Sequence, residues 1–312
     1  MSISTRPWAV TLAVLVPFAV LVRDTQARNG EYASALTMAR TILARWPSPN
    51  AQFMVGEELA KAGQHAEALA HLREAARTLP PARYDFALEL VVTGQPEEAI
   101  EPLLAFIRDE PRNLATRSAR FLLARAFEAK GQWPQAIQQV QAVLSMTPSD
   151  PDAHGLWADA LSGQQAFAEA IPHYRLFLVG HPQDANAWTG LGVALVATGQ
   201  GVAAIAAFRA AVAADPAISH RRQNLARALL DHGDLIDAAQ EGQRAVSADP
   251  RDPAPREILG RVWAALGRFD DAQREFERSL QLDPSYVPAR QGLQSLPVKR
   301  LARKQHRVAA VA

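Results

Sequence analysis

The side chains able to do chemistry are few and scattered. Eight histidines, His65, His71, His154, His173, His181, His220, His232 and His306, are the first candidates for metal ligation or proton transfer. No two stand four residues apart, the spacing that sets two imidazoles on one helix face, and no His-Glu-x-x-His occurs. Most therefore read as solvated or loop residues. A glycine-rich phosphate loop, a Gly-x-Ser-x-Gly elbow and a pair of carboxylates placed for acid–base work are all absent. The doublets Glu97-Glu98 and Asp270-Asp271 read as helix starts, where negative charge complements the helix dipole. Trp157 and Trp188 read as core residues, and Trp133 as a more exposed turn residue. The chain has no cysteine, which excludes disulfides, thiolate metal sites and a cysteine nucleophile. No catalytic residue, cofactor or metal is expected, and the chain is not expected to be an enzyme.

What must position the remaining side chains is a repeat, clearest in residues 185–218. Its marks are Trp188, Leu191, Gly192 and Leu195, then Ala204, Phe208, Ala211 and Pro216. Large and small residues alternate at helical spacing in two short segments, with Gly199 between them. The pattern recurs in seven units, at 49–82, 80–113, 117–150, 151–184, 185–218, 219–252 and 253–286. The junction near Pro80 is short, and Leu114 to Thr116 is inserted before the third unit. Each turn takes a glycine, which suits a left-handed helix end, except in the fourth unit, which has Gly163-Gln164-Gln165. Each second helix ends at a proline, from Pro80 to Pro284, because proline removes a helical donor and turns the preceding residue out of helix. The small residue of the first helix (Gly56, Gly192 and Gly260 among them) suggests close approach of two helix backbones. Gly242, where other units have a large residue, suggests a gap. Hydrophobic content of 48%, led by alanine and leucine, favours helix over sheet. A core that grows by stacking also suits a chain of 312 residues without a single centre.

These residues resemble the tetratricopeptide repeat over about residues 30–296. The resemblance implies an all-α fold, a right-handed superhelical solenoid of antiparallel helix pairs. It also implies that first helices line a concave groove holding a segment of another protein. On that reading the groove candidates are Tyr84, Phe121, Arg125, Asp159, Gln223, Asn224, Arg227, Glu257 and Arg261. Gln223, Asn224, Arg227 and Arg261 loosely imitate the Lys/Asn clamp by which some members hold acidic C-termini. Only Asn224 matches the asparagine ladder of O-linked N-acetylglucosamine transferases.

The two ends differ from the array. Residues 8–22 carry no charge, and residues 1–28 are read as a signal anchor placing the chain as a single-pass protein in a bacterial inner membrane. A cleaved signal ending at Thr25-Gln26-Ala27 and a buried cap on the array are the alternatives. The run is short for a span, which takes about 17–25 residues. Asn29 to Tyr32 read as a turn into a helix running to Trp46, a partial repeat over 29–48 with Ala35, Met38, Ala39 and Ile42 on its apolar face. Residues 287–297 read as a capping helix and 298–312 as a disordered tail. That tail holds Lys299, Arg300, Arg303, Lys304 and Arg307 and no acidic residue, so the rest is mildly acidic and unsuited to nucleic acid. The expected function is a membrane-tethered scaffold for protein–protein interaction, its partners another protein or peptide and, through the anchor, a membrane. A shortened repeat tail of a polytopic glycosyltransferase-like membrane protein, and a secreted soluble adaptor, are the rival readings.

Overall fold

A computed structural model of the chain describes residues 34–297. Among them lie sixteen α-helices and no strand. They divide into two compact units between Val143 and Leu144. The first holds α1 (Ala35–Arg45), α2 (Pro49–Lys61), α3 (His65–Ala76), α4 (Pro80–Val92), α5 (Ile100–Asp109) and α6 (Thr116–Ala129), with α7 (Trp133–Leu144) reaching the boundary. The second holds α8 (Pro151–Gly163), α9 (Phe167–Gly180), α10 (Ala185–Ala197), α11 (Gly201–Ala214) and α12 (Ser219–His232). It continues through α13 (Leu235–Ala248), α14 (Pro253–Ala265), α15 (Phe269–Leu282) and α16 (Val287–Ser295). Within each unit, helices pack against their neighbours in sequence, and successive first helices such as α12 and α14 also touch.

The repeat chemistry explains these limits. Helices α9, α11, α13 and α15 each stop two residues before Pro182, Pro216, Pro250 and Pro284. Three first helices, α8, α10 and α14, are opened by an aspartate that accepts backbone N–H bonds: Asp150 from Asp152 and Ala153, Asp184 from Ala187, Asp252 from Ala254. Ser48 and Ser34 cap α2 and α1 in the same way. The turn between paired helices holds one left-handed residue. It is glycine at Gly63, Gly94, Gly131, Gly199, Gly233 and Gly267, and Gln165 (φ 62°) in the fourth repeat.

Packing corrects one expectation. Gly192 of α10 faces the ring of Phe208 on α11, not a helix backbone. A Cβ there would stand 2.5 Å from Phe208 Cε1. Phe208 is 3% exposed, so the glycine is the notch that seats it. Gly260 with Phe276 repeats the arrangement, whereas at Gly56 a Cβ would meet both the Leu72 side chain at 2.6 Å and the Leu72 backbone nitrogen at 3.3 Å. Phe276 is also covered from α16, whose Ala289 is buried against it. At Gly242 the expected gap is closed by Leu259, 3.4 Å from where a Cβ would stand.

A second regularity is polar. In five of the seven repeats a residue near the start of the first helix bonds one in the second helix nineteen positions later. Gln52 meets His71 at 2.6 Å and Arg120 meets Gln139 at 2.8 Å in the first unit. In the second, His154 meets His173 at 3.0 Å, Arg222 meets Glu241 at 2.9 Å and Arg256 meets Glu275 at 3.2 Å. At this place the fifth repeat has Trp188 and Ala207. Trp188 is half-buried and donates its indole N–H to the Pro182 carbonyl at 2.9 Å. Arg222 and Arg290 reach back to Pro216 and Pro284 alike.

Other expectations shift locally. In α1 the face turned to the core is Leu36, Ala39 and Leu43, whereas Ala35 is exposed. Glu97 and Glu98 precede α5 instead of opening it. Trp133 is the half-buried first residue of α7, not a turn residue, and Trp157 is half-buried instead of core. Leu114 in the inserted stretch is 98% exposed. The expected apolar anchor at 1–28, the turn at Asn29 to Tyr32 and the basic tail at 298–312 lie outside the described residues. A single-pass membrane location is not supported: no helix among the described residues is long and apolar enough to cross a membrane.

Candidate functional site

The second unit gathers five of the nine groove candidates on two adjacent first helices. Gln223, Asn224 and Arg227 lie on α12, and Glu257 and Arg261 on α14. Their spacing of three to four residues aligns them on one face of each helix. The Arg261 guanidinium lies between two carboxylates, 3.6 Å from Asp231 and 3.9 Å from Glu257. Glu257 is only 4% exposed. Burial pushes its carboxyl above the usual range, and the charges of Arg261 and Arg227 oppose that shift. Arg227 is exposed and has no ion pair among the described residues. Tyr286, just before α16, closes this patch. Burial, then the nearby Glu257 charge, raises its phenol.

Gln223 proves to be an internal tie, donating its side-chain amide to the Asp252 carboxylate that caps α14. Asp159 stands apart on α8, where it accepts a 2.9 Å bond from the Tyr174 hydroxyl. Between it and Arg227 in sequence, α10 presents Val193 and Val196, both exposed.

The first unit holds Tyr84, Phe121 and Arg125. Tyr84 on α4 packs against buried Phe106, ring centroids 5.5 Å apart. Phe121 lies under the Arg117 guanidinium at 4.7 Å, and Arg125 is exposed one turn on. Beside Tyr84, Asp85 is pushed up to about 6, by burial first and by Glu57 second, with Glu89 adding and Lys61 opposing. The buried Glu89 carboxylate is bonded by His65 at 2.8 Å.

Asp231, Tyr286 and Asp85 were not singled out from sequence. Asp231 follows Arg227 by one helical turn, a signal that was present. The histidines also depart from expectation. His65, His71, His154, His173, His181 and His232 all have side-chain partners, so they are not simply solvated. Among the described residues, no three His, Asp or Glu side chains are arranged to hold a metal ion.

The arrangement offers charge and hydrogen-bonding groups on stacked first helices. Comparison with known proteins agrees in fold. Comparison with curated protein sequences gave no significant match. The C-terminal part of a tetratricopeptide repeat-containing protein of Cytophaga hutchinsonii superposes with a TM-score of 0.60 at 20% identity, covering 77% of this chain and 99% of that part. YrrB, described as a tetratricopeptide protein with an unusual peptide-binding site, gives 0.55 at 15% identity over 62% of this chain and 97% of its own. MamA gives 0.52 at 20% identity over 55% and 93%. Two tetratricopeptide-repeat family models match, one at residues 24–83, 84–153 and 156–217 and the other at 229–296. With sixteen helices among the described residues, and left-handed turns and closing prolines at the matched positions, the chain belongs to the tetratricopeptide-repeat family.

Proposed function

We propose that the protein is a non-catalytic scaffold that binds a segment of another protein on its first-helix faces. The principal site is the α12–α14 patch of Asn224, Arg227, Glu257 and Arg261, with Gln223 holding its frame. Tyr84, Phe121 and Arg125 form a second contact face in the first unit, and Asp159 an outlying one in the second. The layout is seven repeats over 49–286, opened by the helix within 29–48 and closed by the helix at 287–297. The observation that carries this reading is the exposed guanidinium pair, Arg227 and Arg261, set over a nearly buried carboxylate. Guanidiniums are suited to bidentate bonds with carboxylates. The favoured partner is thus a segment bearing Asp, Glu or a free C-terminus. The peptide-binding site described for YrrB supports the same use of the fold.

The test is selection of peptides from a random library on the full chain, followed by affinity measurement with Arg227→Glu and Arg261→Glu. Selected peptides should be rich in acidic residues. Each reversal should weaken binding about tenfold or more, roughly 1.4 kcal/mol. Unchanged affinity in the double variant would reject this face.

A further inference from the structure

The polar tie between paired helices varies among the repeats, and in the fourth it brings two metal-ligating groups together. His154 on α8 and His173 on α9 face each other through their Nδ1 atoms, 3.0 Å apart. Where other repeats set Arg against Glu or Gln, here the residue types do not fix which partner donates. If both rings carry their proton on Nε2, two lone pairs converge; one ring must shift its proton to Nδ1 for a hydrogen bond to form. Two nitrogens about 2.0–2.1 Å from a zinc-like ion, at about 90–110° to one another, lie about 2.9–3.4 Å apart. The observed separation falls within that bite. Both rings are half-exposed, which leaves room for ligand waters. Trp157 stacks on His173, centroids 4.2 Å apart, and holds that ring in place. Glu169, one turn earlier on α9, adds negative charge beside the pair.

We propose that His154 and His173 chelate a divalent imidazole-preferring transition-metal ion, such as copper or zinc, through their two Nδ1 atoms. Water completes the coordination, and the ion joins α8 to α9 where Arg–Glu ties do so in the sixth and seventh repeats. Binding replaces the bridging hydrogen bond: the ring that carried Nδ1–H carries its proton on Nε2 instead, and two neutral imidazoles ligate the ion with no net release of a proton. It requires no redox step.

The experiment is calorimetric titration of the full chain with Cu2+ and with Zn2+, alongside tryptophan fluorescence, since Cu2+ at His173 quenches the stacked Trp157. The key variant is His154→Arg with His173→Glu, which installs the pair used by neighbouring repeats and so preserves the helix tie. His181→Gln, at a histidine bonded to Asp152, is the control. Wild type and control should bind one ion with the same affinity and quenching. The Arg/Glu variant should lose about tenfold or more in affinity, together with the quenching. Equal binding by the Arg/Glu variant, or no binding by wild type at millimolar ion, would overturn the proposal. So would loss of binding in the control.

Discussion

At Gln165 the chain takes a Cβ into a conformation that six other turns give to glycine. That costs about 1–2 kcal/mol, whereas a glycine would lose about 0.4–1 kcal/mol through the unfolded chain's extra freedom. The first effect is larger, so Gln165→Gly should stabilise by about 0.5–1 kcal/mol. A rise in the urea midpoint at constant slope would show it; a fall would mean the side chain holds the turn. Asp85 makes a second residue-scale case. Its folded carboxyl sits at about 6, above the ordinary value, so the folded state binds the proton more tightly than the unfolded. Ionisation therefore destabilises the fold as pH rises from about 4, and the full penalty is present once the folded value is passed. Asp85→Asn should match wild type near pH 4 and melt higher at pH 7.5. Equal melting at both pH values would count against the burial of that charge.

At the scale of helices, what matters is how a notch meets a ring. Alanine gains about 1 kcal/mol over glycine inside a helix, but at Gly192 the added Cβ would run into Phe208 at 2.5 Å. Overpacking costs about 1–3 kcal/mol, so Gly192→Ala should destabilise. Phe208→Ala should cost about 3–5 kcal/mol. In that background Gly192→Ala should instead stabilise, because the obstacle is gone, and a double-mutant cycle reads the change of sign. Additive effects would show that the two residues do not share a notch. The helix pairs, their turns and their proline ends were legible in the sequence because each rests on local chemistry. The partner of each glycine was not, since alternation of large and small residues does not say whether a backbone or a ring fills the space. The same limit applied to His154 and His173. A search along one helix at four-residue spacing cannot find a pair that meets across two helices nineteen residues apart.

Across the whole molecule, binding is expected to depend on a surface assembled from several repeats. The positions of Arg227 and Arg261 could be placed from the repeat register, but the burial of Glu257 and the diversion of Gln223 to Asp252 depend on neighbouring helices and had to be seen. Because charge dominates that patch, the affinity lost in the Arg227 and Arg261 reversals should be largest at low salt, where screening is weakest. The helix ties act on the array in another way. Repeats that resemble one another risk pairing a first helix with the second helix of a different repeat as the chain folds. Arg222 and Arg256 are each matched by a glutamate, Arg120 by a glutamine and His154 by a histidine. Arg222 docked on α9 would meet His173 where its own partner helix offers Glu241, and His154 docked on α11 would meet Ala207 and find no second imidazole. The ties therefore work as a set of partly exclusive keys, by which each helix distinguishes its own partner from the near-copies on either side.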